Sequence, residues 1–141
     1  MKQKVFHIKT YFVLIATLAL AACSSAPTIV PTKHNDIAAY NPKEYPQAVA
    51  YFEQAAAQGD ANAMDNLGHM YEDGRGVAQN DQKAVEWYEK AAQAGNKEAY
   101  VDLGVACLFG KGMPKDTKQA CNWFKKAQHN PNAVSFYNQY C

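Results

Sequence analysis

The amino-acid sequence predicts an all-α fold, an α-solenoid of antiparallel helix pairs. One amphipathic pattern occurs three times at an interval of 36 residues, with alanines at positions 48, 84 and 120. Aromatic pairs keep the same interval, at 51–52, 87–88 and 123–124. A second amphipathic segment precedes each of the last two copies, at 61–76 and 98–112. A fixed period of this size is typical of stacked repeats, which bury a continuous core only against their neighbours.

Each copy of the pattern places small and aromatic residues on one helical face. Ala48, Tyr51, Phe52 and Ala55 follow the spacing i, i+3, i+4, i+7, which is that of an amphipathic helix. We name the helix that carries this pattern the B-type helix and the helix before it the A-type helix. The predicted order is a lone B-type helix at 45–58, a full pair at 61–94, a second full pair at 97–129 and a closing half-pair at 132–141.

The two A-type segments each contain an internal glycine, Gly68 and Gly104. Glycine in a helix interior costs about 1 kcal/mol relative to alanine. We therefore expect another helix to approach the backbone closely at both positions. The G-x-G stretches at 74–76 and 110–112 lie between helices without a preceding strand, so they are not expected to bind phosphate.

The first 22 residues have the features of a secretion signal. A basic start is followed by the ten-residue apolar run at 11–20. Ten helical residues span about 15 Å, half of a bilayer core of about 30 Å. The run is therefore interpreted as the apolar part of a signal peptide rather than as a membrane span.

The end of this segment is more specific than an ordinary cleavage site. The sequence "LAAC" at 20–23 resembles the bacterial lipobox. The resemblance implies cleavage before Cys23 and the attachment of acyl chains, such as palmitate, to that cysteine. Because Ser24 and not aspartate follows, the resemblance implies sorting to the outer membrane, with the body in the periplasm. The predicted division is a signal peptide at 1–22, a lipidated cysteine and flexible tether at 23–40, and a repeat domain at 41–141.

The charge balance argues against a nucleic-acid partner. The whole chain has 14 basic and 13 acidic side chains, and three of the basic ones lie within residues 1–22. The remainder carries about −2 and has no basic stripe, so nucleic-acid binding is not expected. Nothing in the sequence indicates a cofactor.

Two longer motifs carry a family resemblance. The motif "A-x-x-x-L-G-x-x-Y-x-x-G-x-G-V" occupies 63–77, and "K-A-x-x-W-Y-x-K-A-A-x-x-G" occupies 83–95. They resemble the Sel-one-like repeat (SLR) family, which is related to tetratricopeptide arrays. The second copy departs at Cys107, Met113, Gln119 and Pro131, and the resemblance covers roughly residues 44–130. It implies an α-solenoid that binds other proteins or acts as an assembly adaptor.

The resemblance also implies which face would bind a partner, since the A-type helices of such solenoids line a concave surface. Helical periodicity turns eight residues toward that surface: Asn62, Asn66, His69, Asp73, Glu98, Asp102, Val105 and Phe109. We expect them to contact another envelope or secreted protein. Charge reversal at Asp102, or Phe109→Asp, should weaken that contact.

The expected function is an adaptor or scaffold, a protein–protein interaction module anchored to the outer membrane by its N-terminal lipid and facing the periplasm. One alternative is an immunity or inhibitor lipoprotein directed against a specific effector. Another is a structural role in envelope or peptidoglycan assembly.

Three cysteines remain if Cys23 is acylated, and an oxidising compartment permits one disulfide among them. Cysteine-rich SLR proteins staple each hairpin at positions matching Met64 and Ala92. Cys107 and Cys121 correspond, one repeat earlier, to positions 71 and 85, each seven residues or about two helical turns nearer the loop than Met64 and Ala92. The resemblance therefore implies a Cys107–Cys121 disulfide. The alternative is Cys121–Cys141, because Cys141 ends the next A-type helix at the level of Cys107.

The sequence contains no set of residues typical of an enzyme active site. Some cysteine-rich SLR proteins have been discussed as β-lactamase-like, a chemistry that generally uses serine three residues before lysine. None of Ser24, Ser25 and Ser135 has that lysine. The sequence therefore predicts no catalytic residue.

A metal site is not predicted either. The three histidines that follow residue 22, His34, His69 and His129, are dispersed along the chain. The acidic residues of the A-type helices are interpreted as a solvated helix face and not as a carboxylate pair: Asp65, Glu72, Asp73 and Asp102.

Overall fold

The structure, a computed structural model, describes residues 41–141, and within that range all regular structure is helical. A short 3-10 helix, Pro42–Glu44, leads into six α-helices. These are α1 (Tyr45–Ala57), α2 (Ala61–Asp73), α3 (Asp81–Gln93), α4 (Ala99–Phe109), α5 (Thr117–Lys126) and α6 (Pro131–Tyr140). The all-α solenoid is confirmed, with α1, α3 and α5 as B-type helices and α2, α4 and α6 as A-type helices. The predicted signal peptide, Cys23 and the predicted tether lie outside the described residues.

The helices begin and end at residues suited to those positions. The side chains of Asn80 and Asp116 accept hydrogen bonds from backbone N–H groups three residues on, at 3.0 and 2.9 Å, so each caps the B-type helix that follows. Helices α2 and α4 end at Gly74 and Gly110, whose φ angles of 68° and 73° are left-handed. Of the helices in residues 41–141, none combines the length and the apolar character needed to cross a bilayer.

Within each pair, an aromatic ring of the B-type helix packs directly against a glycine of the A-type helix. A Cβ added at Gly68 would overlap the ring of Tyr88, and one added at Gly104 would overlap the ring of Phe124. Phe124 is fully buried and Tyr88 is 2 % exposed. The expected close approach at both glycines is thus confirmed, and the burial of the rings compensates for the poor helix propensity of glycine.

The second glycine of each G-x-G loop joins one repeat to the repeat before it. A Cβ at Gly112 would overlap the carbonyl oxygen of Asp81, and a Cβ at Gly76 would lie 2.6 Å from the carbonyl carbon of Tyr45. Both contacts are made with the first residue of the preceding B-type helix. The loop glycines therefore allow backbone to pack on backbone, which is how the 36-residue units stack.

The structure corrects the predicted disulfide. Cys121 is bonded to Cys141, with their Cα atoms 5.9 Å apart, and Cys107 is a buried free thiol. The Cys107 thiol donates to the carbonyl oxygen of Asp116 at 3.1 Å, inside the loop of its own hairpin. Buried Ala120, and not Cys121, belongs to the same core cluster as Cys107. Cys121 is one residue further on and so about 100° around the helix, where it meets the end of α6.

Candidate functional site

The predicted partner-binding residues lie mostly at the surface of α2 and α4. Asn62, Asp73, Glu98 and Phe109 are exposed, while His69, Asp102 and Val105 are half-buried. Phe109 is 53 % exposed, which is unusual for so large an apolar side chain. We call the surface formed by these residues the A-helix face: Asn62, His69, Asp73, Glu98, Asp102, Val105 and Phe109.

The eighth predicted residue, Asn66, does not belong to this face. It is only 4 % exposed. It lies three residues after Ala63 and four before Met70, which places it on the buried stripe of α2. The prediction that Asn66 points outward was therefore wrong.

A cluster of ionisable side chains lies at the centre of the A-helix face. Asp65 and His69 are one turn apart on α2, and Asp102 comes from α4 in the next repeat. The Nε2 atom of His69 lies 3.8 Å from Oδ2 of Asp65 and 3.9 Å from Oδ2 of Asp102. The side chain of His69 is 36 % exposed, that of Asp65 14 % and that of Asp102 24 %, so the cluster is half-buried.

The other ring nitrogen of His69 faces a hydrogen-bonded network. Nδ1 lies 2.9 Å from the hydroxyl of Tyr88, and that hydroxyl donates to Oε2 of Glu72 at 2.8 Å. The ammonium group of Lys111, from the loop after α4, donates to Oε1 of Glu72 at 3.1 Å. His69 is therefore held from one side by Tyr88, Glu72 and Lys111 while its other side faces two carboxylates.

Burial shifts the titration of both aspartates in the cluster. It raises the pKa of Asp65 to about 6, against the opposing effect of His69. It raises the pKa of Asp102 to about 7, again opposed by His69 and reinforced by the charge of Asp65. Removing a carboxylate from water disfavours its charged form, and a second carboxylate nearby adds repulsion.

Among the neighbouring groups, the pKa of Glu72 is lowered, whereas the pKa values of His69 and Tyr88 are raised. The imidazole of His69 is the main reason that the pKa of Glu72 falls to about 2, and the hydroxyl of Tyr88 and the ammonium of Lys111 add to it. Burial opposes the charged form of His69, but the carboxylates of Glu72, Asp102 and Asp65 outweigh it, so its pKa lies above the ordinary value. Burial, with the nearby carboxylates, raises the pKa of Tyr88, so that its hydroxyl remains a donor.

The interpretation of these acids as a solvated helix face was wrong for three of the four. Asp65, Glu72 and Asp102 are half-buried, and only Asp73 is exposed. The i, i+4 spacing of Asp65 and His69 pointed to this cluster in the sequence. The position of Asp102 was also indicated, because it falls one 36-residue period after Asn66, on the turn that carries Asp65 and His69.

A cleft lies elsewhere and shares no residue with the A-helix face. It is an open cleft of about 330 Å³. The rings of Tyr100 and Trp123 stack in it, with centroids 5.9 Å apart, and the Lys126 ammonium lies over Trp123. The lining residues are Glu89, Ala92, Gln93, Tyr100, Leu103, Trp123 and Lys126. The faces of the Trp123 ring are used by the protein itself, so we place no site there.

Comparison with solved structures finds the same architecture in three bacterial proteins. A protective antigen of uropathogenic Escherichia coli strains that displays an SLR fold superposes with a TM-score of 0.70 and 33 % identity, over 74 % of this chain and 23 % of the antigen. A Sel1 repeat protein from Oxalobacter formigenes gives a TM-score of 0.63 and 35 % identity, over 67 % of this chain and 40 % of that protein. The chain thus spans less than half the length of either.

The third structure is closer in size. It is the cysteine-rich protein B of Helicobacter pylori, with a TM-score of 0.59 and 30 % identity, over 68 % of this chain and 71 % of that protein. A comparison with curated proteins found no match.

The family model for the Sel1 repeat matches three consecutive segments, 42–60, 61–96 and 97–127. The segments join at the boundaries of the structural units, since α1 falls in the first, α2 and α3 in the second, and α4 and α5 in the third. Together they cover more than half of the chain. Proteins with Sel1 repeats bind other proteins and are generally non-enzymatic interaction scaffolds. The resemblance seen in the sequence is confirmed, and the chain belongs to the Sel1 repeat family.

Proposed function

We propose that this protein is an adaptor or scaffold of the bacterial envelope, anchored to the outer membrane through acylated Cys23 and facing the periplasm, and that its A-helix face binds another envelope or secreted protein. The signal-like N-terminus and the lipobox-like "LAAC" support the location. Membership of the Sel1 repeat family supports protein binding. We expect no catalytic role.

The observation that carries the binding proposal is the exposure of Phe109 on a mostly polar face. Phe109 is 53 % exposed at the end of α4, the helix that also carries Asp102 and that Glu98 precedes. A large aromatic side chain exposed on a mostly polar surface is typical of the residue that dominates an interface. The partner should therefore offer an apolar pocket for this ring and basic groups for the acids around it.

The test is a pull-down from detergent-solubilised envelopes with the acylated protein as bait. Phe109→Asp should lose the partner, because it replaces the apolar anchor by a charge on a face that is already acidic. Tyr51→Asp is the matched control, since Tyr51 is also an exposed aromatic residue, 37 % exposed, but lies on the B-type helix α1. Circular dichroism of both variants is the control for folding, and we expect the helical signal of the unaltered protein.

The outcomes separate this function from the alternatives. Loss of one partner with Phe109→Asp and not with Tyr51→Asp supports binding through the A-helix face. A single secreted effector as that partner would make the protein an inhibitor or immunity factor. Co-sedimentation with purified sacculi, with no protein captured, would favour a structural role, and equal capture by both variants would refute binding through this face.

The location has a separate test. Mass spectrometry of the purified protein should find the N-terminal cysteine of the mature chain, Cys23, modified by acyl chains. Cys23→Ser should shift the protein from the outer-membrane fraction to the soluble fraction, or leave it unprocessed. An unmodified Cys23 in the native protein would refute the lipid anchor.

A further inference from the structure

We propose that Asp65, His69 and Asp102 form a binding site for one divalent first-row metal ion of the Zn²⁺ type. The ligand atoms would be one carboxylate oxygen of each aspartate and Nε2 of His69. These three atoms all lie within 4.8 Å of one another. The site joins α2 to α4 and so links two successive repeats.

Hydrogen-bond accounting determines which nitrogen of His69 carries the proton. The hydroxyl of Tyr88 gives its one hydrogen to Oε2 of Glu72, so toward Nδ1 of His69, 2.9 Å away, it can only accept. Nδ1 is therefore protonated. In the neutral ring the lone pair then lies on Nε2, the atom that faces both aspartates. A second-shell hydrogen bond that fixes the tautomer in this way is usual for metal-binding histidines.

The distances fit a metal better than a hydrogen bond. Nε2 is 3.8 and 3.9 Å from the two carboxylate oxygens, well beyond an N–H···O hydrogen bond of about 2.7–3.2 Å. Ligands bound to Zn²⁺ at about 2.0–2.2 Å are separated by about 3.4–3.8 Å at tetrahedral or slightly wider angles. Nε2 therefore lies close to the separation from each carboxylate oxygen that one shared ion requires, and all three ligand atoms lie within 4.8 Å of one another.

A further oxygen in the cluster also lacks a partner. Oδ1 of Asp65 is inaccessible to solvent, and no group among residues 41–141 forms a hydrogen bond with it. A buried oxygen of a carboxylate without a hydrogen-bond partner is costly. A cation bound to Asp65 would compensate for that cost at the one acid of the cluster that is least exposed to water.

The donor set indicates the class of metal. One imidazole nitrogen and two carboxylates suit Zn²⁺ and its first-row neighbours, whereas Ca²⁺ prefers six or more oxygens. Two carboxylates also balance the charge of a divalent ion. Because the His69 side chain is 36 % exposed, a fourth position would open toward solvent.

The repeat itself offers a comparison for the role of Tyr88. The positions one period before and after it are Phe52 and Phe124, both buried like Tyr88. Only the middle copy has a hydroxyl here, and only that copy has a histidine at position 69 for it to contact, since the next copy has Val105. Within this chain, the copy with the hydroxyl is thus also the copy with the histidine that it contacts.

The test titrates the full chain, purified in detergent and freed of metal by a chelator, with Zn²⁺ alone. Calorimetry should find one equivalent bound, and the melting temperature should rise by several degrees. Asp102→Asn and His69→Gln should each weaken binding by at least about tenfold, and Tyr88→Phe by about tenfold. Co²⁺ should give the visible absorption of a four-coordinate site. No partner protein is needed, so this result is independent of the proposed function.

Two control variants keep the test specific. His129→Gln removes a histidine whose Nε2 lies 3.9 Å from Glu98, a pair without a third ligand. Asp73→Asn removes an exposed acid of α2. Both should leave Zn²⁺ binding unchanged. If Zn²⁺ neither binds nor shifts melting in the unaltered protein, or if the control variants weaken binding as much as Asp102→Asn and His69→Gln do, the proposal is wrong.

Discussion

Nε2 of His69 lies 3.9 Å from Oδ2 of Asp102, although the two residues belong to successive repeats and are separated by 33 positions in the chain. The contact follows from the stacking of 36-residue units, which brings α4 near α2. A residue of α4 then lies beside the turn of α2 that carries the residue 36 positions earlier. Asp102 is the counterpart of Asn66, and the turn around Asn66 carries Asp65 and His69. The pair thus reports directly on the packing between repeats.

Without metal, the domain should be less stable at pH 8 than at pH 5. Asp65 and Asp102 have pKa values raised from 3.8 to about 6 and about 7, and the pKa of His69 is raised above 6.5. All three groups bind protons more tightly in the folded state, so folding free energy is lost as pH rises through this window. Glu72, whose pKa is lowered to about 2, contributes equally at both pH values. Urea denaturation in the presence of a chelator should show that the free energy of unfolding falls by about 2 kcal/mol from pH 5 to pH 8.

The matched variants for this pH dependence are Asp102→Asn and Asp73→Asn. Asp102→Asn removes a half-buried charge and should flatten the dependence of the unfolding free energy on pH. Asp73→Asn should preserve it, because the Asp73 carboxylate is exposed. Stability that is constant or that rises from pH 5 to pH 8 would contradict the prediction.

Reduction of the Cys121–Cys141 disulfide should destabilise the domain by about 3 kcal/mol, because the bond closes a loop with a sequence separation of 20. The melting temperature should fall by about 10 °C or more when reductant is added, as measured by circular dichroism. Cys141→Ser should reproduce the loss and abolish any further effect of reductant. An unchanged melting temperature on reduction would show that α6 is held without the bond, through contacts such as the stacked rings of Phe124 and Phe136.

Gly104→Ala should destabilise the domain by about 1–3 kcal/mol, because the added methyl group overlaps the ring of buried Phe124. The sign of the effect is informative, since the same substitution in an unobstructed helix stabilises by about 1 kcal/mol. A double-mutant cycle with Phe124→Leu measures the coupling, and the alanine should cost less beside leucine. A stabilising Gly104→Ala would contradict the close packing of α4 on α5.

Cys107 should react slowly with iodoacetamide in the native protein and quickly in denaturant. It is fully buried, and burial raises the pKa of its thiol, so little thiolate is present at neutral pH. Mass spectrometry without reductant should locate the denaturant-dependent label at Cys107, with Cys121 and Cys141 unlabelled. Label at Cys141 would indicate that Cys107 and Cys121 are paired after all.

The repeat architecture could be predicted from the sequence because it depends on local, periodic information. The alanine and aromatic positions determine which face of each helix is buried. Helices begin where the side chains of Asn80 and Asp116 accept hydrogen bonds from backbone N–H groups three residues on. Helices end where the backbone of Gly74 and Gly110 is left-handed. The fold was therefore correct in element order.

The errors concern residues whose surroundings come from a second helix. Asn66 lies on the buried stripe of α2, although its polar side chain is of a type that is usually exposed. Cys121 has Cys107 and Cys141 within similar reach by helical level, and the choice depends on the direction of its side chain around α5. Ala120 occupies the direction toward Cys107, which leaves Cys121 facing α6.

The sequence by itself determined the helices, their order and the 36-residue stacking, because hydrophobic periodicity and end-capping act within a few residues. Only the tertiary structure brought Asp102 to the pair formed by Asp65 and His69, half-buried both aspartates, and placed the Tyr88 hydroxyl against His69 and Glu72. Burial and charge proximity depend on distances in space across two repeats. Those distances are set by ring-on-glycine and loop-on-helix packing, which no single segment of the chain specifies.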